Sequence, residues 1–127
     1  MPLVLVTLSL AAGPGFPLGS VDHRYALQLA LDASGHPDAH AWAEDPAPWR
    51  AQRFRPDAAP EPGDVQYDGE NGWFIRFSTS AAECFDAPEA RFDPGHSPIR
   101  PGEHATITEP DGGVFDYRIV SVAAVDG

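Results

Sequence analysis

Residues 23–31 read His23-Arg24-Tyr25-Ala26-Leu27-Gln28-Leu29-Ala30-Leu31. Tyr25, Leu27, Leu29 and Leu31 fall on one side of an extended backbone, while Arg24, Gln28 and the small Ala26 and Ala30 fall on the other. Successive side chains of a strand point to opposite faces, so this unbroken alternation predicts a half-buried strand. Asp32-Ala33-Ser34-Gly35 then ends it as a turn.

The flanking segments follow the same logic. Leu3 to Leu10, rich in Leu, Val and Thr, stops at Gly13-Pro14-Gly15 and reads as a buried strand, followed by a Gly/Pro loop over Gly13 to Ser20. Pro37 to Glu44 is the one short helix expected: Pro37 suits a first helical position, Asp38 suits the positive end of the dipole, and alanines follow. Pro46 and Pro48 stop it. Trp49 to Arg55 reads as a strand, and the proline-rich Pro56 to Gly63 as a loop. Asp64 to Tyr67 and Trp73 to Ser78 bracket Asp68-Gly69-Glu70-Asn71-Gly72, a hairpin signature. Trp73, Ile75 and Phe77 share one face of the second strand.

Thr79 to Pro101 carries no clear periodicity; Phe85 and Phe92 are expected to plug the edge of the core. Glu103 to Thr108 and Val114 to Val122 flank Glu109-Pro110-Asp111-Gly112-Gly113, another hairpin signal. Phe115, Tyr117 and Ile119 alternate with Asp116 and Arg118 until Val120 and Val122 break the phase, a pattern that marks a bulge or a passage between faces. The expectation is a single all-β domain over 1–127, a small, mostly antiparallel barrel or sandwich of six to seven strands with at most one short helix.

A chain of 127 residues with 3 Trp, 3 Tyr and 7 Phe can fill one core without a metal or disulfide. The 19 acidic residues against 8 basic ones give a net charge of -11, which disfavours nucleic acid and anionic membrane surfaces as partners. Every basic residue is Arg, and Ala, Pro and Gly abound, as in the products of a GC-rich bacterial genome. Cys84 is the single cysteine, so a disulfide within the chain and a cysteine-based zinc site are both excluded. Its neighbours Glu83 and Asp86 would blunt the thiol, and an inert side chain is expected. The apolar start has no basic residue before Arg24 and is too short to span a bilayer, so it reads as a strand and the expected location is cytoplasmic.

Few residues point to chemistry. His36, Asp38 and His40 are candidate metal ligands, but Pro37 between the imidazoles spoils the shared helical face, and surface histidines in a loop are the simpler account. Asp64, Asp68 and Glu70 miss the spacing of a calcium loop. Arg50, Arg53 and Arg55, flanked by Trp49 and Phe54, are candidate ligands for a carboxylate or phosphate; pairing with the chain's own carboxylates is the competing reading. Trp42 and Trp49 are candidate contact residues, or lids on the core. No serine sits in a nucleophile elbow, no glycine loop cradles a phosphate, and no cofactor is implied. Three function classes follow: an interaction or structural accessory module that binds another protein, then a small-ligand-binding barrel carrier, then an enzyme whose site is scattered along the chain.

Overall fold

The computed structural model describes residues 3–13, 15–77 and 88–125. Among them eight strands form one closed antiparallel barrel: β1 (Val4–Ala12), β2 (Ser20–Leu29), β3 (Arg50–Phe54), β4 (Glu61–Asp68), β5 (Gly72–Phe77), β6 (Glu89–Asp93), β7 (His104–Thr108) and β8 (Val114–Ala124). Each strand pairs with its neighbours in sequence, and β8 returns to pair with β1, so no long edge is left open. Among the described residues one helix, α1 (Ala39–Glu44), lies between β2 and β3.

The barrel has eight strands where six or seven were expected, and β6 is the addition. It is five residues long between Pro88 and Pro94, too short for its alternation to stand out, yet Ala90 and Phe92 are buried and Arg91 points outward. Phe92 packs in the core as expected; Cys84 and Phe85 lie outside the described residues. A second correction concerns β4, which begins at Glu61 inside the stretch read as a loop. Pro62 stands near the start of that strand with its side chain exposed, a position where its missing N–H is tolerated.

Two-residue alternation holds around the barrel. Tyr25, Leu27 and Leu29 are fully buried, as are Val6 and Leu8 opposite them on β1. Strand β2 ends at Leu29, however, and Leu31 is half-buried in an isolated bridge with Pro37. The broken phase at Val120 is a bulge: Thr7 pairs with Ser121 but Leu8 pairs with Ile119, leaving Val120 unpaired and exposed. The extra residue returns Val122 to the inside, where it packs against the core.

One end of the barrel is plugged. The chain between β2 and β3 crosses it, held by Asp38 N donating to Ala30 O at 2.9 Å and Ile99 N donating to Gly35 O at 2.8 Å. Helix α1 starts at Ala39, two residues later than expected, with the Asp38 carboxylate accepting from His40 N and Ala41 N as its N-cap. Beneath it Trp49 is buried and stacked on Trp73, with centroids 5.3 Å apart and planes within 3° of parallel. Trp42 covers this pair: its Nε1 donates to Val65 O at 3.0 Å, and its ring meets Tyr67 edge-on. Both indoles are lids on the core.

Candidate functional site

The other end of the barrel is built differently. Strand register aligns Tyr25 of β2 with Arg53 of β3, and Arg53 with Glu61 of β4, so the three occupy adjacent positions on the inner wall near the rim. Arg53 points inward because it is in phase with buried Ala51, and its guanidinium lies 4.3 Å from the centroid of the Phe77 ring. Its Nη2 donates to Glu61 Oε2 and its Nη1 to Glu109 Oε2, both at 2.6 Å. Glu109 enters from the turn between β7 and β8, across the mouth, and also accepts from the Tyr25 hydroxyl at 2.6 and 2.9 Å. The turn is fixed by Glu109 N donating to Gly113 O and Gly112 N donating to Glu109 O. One buried cation is thus shared by two carboxylates, one of which is also held by a fully buried phenol. Such charge-assisted bonds are short and oriented.

The electrostatics follow from burial and these partners. Burial, reinforced by the Glu109 charge, pushes the Tyr25 phenol far above the usual range, and burial does the same to Tyr117. Burial would raise the Glu61 carboxyl, but the Arg53 and Arg55 guanidiniums outweigh it and hold it below the usual carboxylate range. Burial would also lower Arg53; Glu61, Tyr25 and Glu109 overcome this and keep it charged.

Two pH limbs follow for stability. Glu61 ionises at lower pH when folded, so its contribution is complete above its unfolded value of about 4.3 and lost as pH falls through the depressed folded value. The two phenols hold their protons more tightly when folded, so their contribution is complete below about pH 10 and lost as pH rises beyond it. Urea unfolding across pH is expected to show falling stability on both sides, with Tyr25→Phe flattening the alkaline side. Phenolate absorbance from Tyr25 in the still-folded protein near pH 10 would contradict this.

Above the Arg53 network opens a cavity of about 360 Å³. Phe16, His23, Phe115, Tyr117, Pro88 and Pro110 supply most of its wall, and Arg53, Arg55, Glu109 and Asp111 its guanidiniums and carboxylates. Phe16 and His23 pack ring to ring at 4.6 Å. Tyr117 is buried, with its ring edge-on to Tyr25 at 5.2 Å. Two larger depressions, of about 570 and 700 Å³, lie on the outer wall. They run between outward-pointing side chains of the strands, such as Arg24, Gln28 and Gln52 on one side of the barrel and Arg118 and Val120 on another. Neither contains a buried ionisable group.

The candidate residues are separated by the fold. Alternation splits the arginine cluster: Arg50 faces outward and pairs with Asp64 at 3.1 Å, Arg53 lies inside, and Arg55 stands at the rim, 2.5 Å from Glu61. All three are paired with carboxylates of the chain itself. Trp42 and Trp49 are at the plugged end, remote from the cavity. His36 Nε2 donates to His96 O at 3.0 Å, Asp38 caps α1, and His40 pairs with exposed Glu44 at 3.1 Å. Among the described residues no three His, Cys, Asp or Glu side chains gather as metal ligands. Asp64 is paired with Arg50, and Asp68 closes its hairpin by accepting from Glu70 N and Asn71 Nδ2.

Tyr25, Glu61, Glu109 and Tyr117 were not singled out from sequence as site residues. Tyr25 and Tyr117 read as core, Glu61 as loop and Glu109 as part of a turn. The available signal was in β3: Trp49, Ala51 and Arg53 share one phase, which puts a guanidinium on an inner wall, where it must find carboxylates. No protein-family model matches the chain, and no curated protein or solved structure matches it either.

Proposed function

We propose that the chain is a small-ligand-binding barrel that holds an apolar molecule in its open mouth. The observation that carries this reading is the asymmetry of the barrel ends: stacked indoles and α1 plug one, while the other, among the described residues, opens on an aromatic-walled cavity with polar groups buried at its base. The volume lies at the small end of the range typical of ligand pockets, and apolar walls with a few fixed polar groups are their usual construction. The enzyme reading has less support, because Glu109 is already held by Tyr25 and Arg53 and is not a free base beside His23.

A titration of the labelled protein with indole, followed by two-dimensional amide NMR, tests the proposal. The expected result is saturable shifts confined to the neighbourhoods of Phe16, His23, Arg53, Phe115 and Tyr117. Shifts confined to the outer wall, or none that saturate, would reject it.

The protein-interaction reading rests on a different observation. Leu18, Val21 and Val120 are exposed around one outer-wall depression, Leu18 almost completely. Three aliphatic side chains fall well short of the roughly 800 Å² per partner of a stable interface. This reading therefore ranks second. Leu18→Asp leaving the sedimentation behaviour of the purified protein unchanged would remove self-association from it.

A further inference from the structure

The cavity walls carry information about the charge and polarity of what they hold. The guanidiniums and carboxylates lining the mouth are Arg53, Arg55, Glu109 and Asp111, two of each, beside His23 and Tyr117, and Glu61 pairs with both guanidiniums from the adjoining wall. An added anion would lie against Glu109 and Asp111, and an added cation against Arg53 and Arg55. Both guanidiniums are already paired with Glu61 and Glu109, so an anion would lose its hydration without an uncommitted cation; a cation would meet outside the ion pairs only Asp111, an exposed carboxylate whose attraction is worth little.

Hydrogen-bonding capacity is not balanced in the same way. The Glu109 carboxylate already accepts from two donors, the Tyr25 hydroxyl lying across both its oxygens and Arg53 Nη1. Two donors lack partners among the described residues, one sealed in the wall and one facing the cavity. Arg53 Nε is the one buried side-chain polar atom without a partner among the described residues. The Tyr117 hydroxyl has no hydrogen-bond partner among them, although the residue is only 4% exposed and lines the cavity. The hydroxyl opens on the cavity, where water meets it when the mouth is empty; a ligand oxygen replaces that water, whereas an apolar ligand displaces it and leaves the donor unmet. The remaining wall is largely rings, which favour a flat partner stacked on them or meeting them edge-on.

We infer that the mouth takes an uncharged aromatic small molecule whose carbonyl-type oxygen accepts a hydrogen bond from the Tyr117 hydroxyl. Arg53 and Glu109 act as positioning residues: they fill the base of the cavity and fix Tyr25, against which the Tyr117 ring is packed. The inference rests on the mouth being the ligand site.

Four matched probes separate the possibilities: acetophenone, ethylbenzene, benzoate and 1-phenylethylamine, titrated by NMR into the full chain and into Tyr117→Phe. Acetophenone is expected to bind tightest to the native chain, with benzoate and the amine at least about tenfold weaker. Tyr117→Phe is expected to remove about 3- to 10-fold of the preference for acetophenone over ethylbenzene, the usual worth of one hydrogen bond. Binding of ethylbenzene should be little changed, which shows that the variant pocket is intact. Benzoate or the amine binding as tightly as acetophenone overturns the inferred ligand class while leaving the ligand site standing. An unchanged preference in Tyr117→Phe overturns the role of the hydroxyl. Failure of all four probes to shift the mouth overturns the ligand-site reading itself.

Discussion

Arg53→Met is expected to destabilise the barrel by about 3–5 kcal/mol, the range for breaking a buried ion pair by removing one partner. Methionine fills much of the same volume and can still lie on Phe77, so the loss is electrostatic. Glu109 keeps only the Tyr25 hydroxyl, and Glu61 keeps only Arg55 at the rim. For a chain of this size the melting temperature should drop by roughly 10–20 °C. Tyr25, Arg53 and Glu109 should also fail to add: in a double-mutant cycle between Arg53→Met and Glu109→Gln, a coupling of about 1 kcal/mol or more is expected. Additive effects, or a loss below about 1 kcal/mol for Arg53→Met, would mean that the network is not the closed unit its geometry describes.

Trp49→Ala should have a comparable effect for a different reason. Trp49 is among the largest fully buried side chains, and its truncation leaves a cavity under α1 and an unpartnered face on Trp73. Large-to-small changes of this kind cost about 3–5 kcal/mol. The damage lies at the plugged end, so indole should still bind at the mouth of Trp49→Ala in conditions where the variant is folded. Arg53→Met should instead weaken that binding. The pair of variants therefore separates the end that holds the fold shut from the end that is open.

The strands legible in the sequence are those whose alternation runs long enough to be seen: β2 through Tyr25, Leu27 and Leu29, β5 through Trp73, Ile75 and Phe77, and β8 through Phe115, Tyr117 and Ile119. The break at Val120 was legible too, because one inserted residue inverts the phase of all that follows. Strand β6 was not legible, since five residues between prolines give only two inward positions. Barrel closure was equally hidden: β1 and β8 are at opposite ends of the chain, and alternation within each says nothing of their pairing.

The candidate site was less legible for a related reason. The network joins residues far apart in sequence, with Tyr25 and Glu109 separated by 84 positions, so no local spacing reports it. Only Arg53 had a sequence signal. Grouping it with Arg50 and Arg55 obscured that signal, because a strand sends Arg50 to the opposite face. Reading Pro56 to Gly63 as a loop then removed Glu61, the cross-strand partner, from view.

The most direct measurement is a crystal structure with 4-bromoacetophenone, located by the anomalous scattering of its bromine. The bromine should lie among Phe16, Phe115 and Tyr117, with the ligand oxygen within hydrogen-bonding distance of Tyr117 Oη. A bromine on the outer wall beside Leu18 and Val120, or a mouth occupied by protein atoms, would contradict the account.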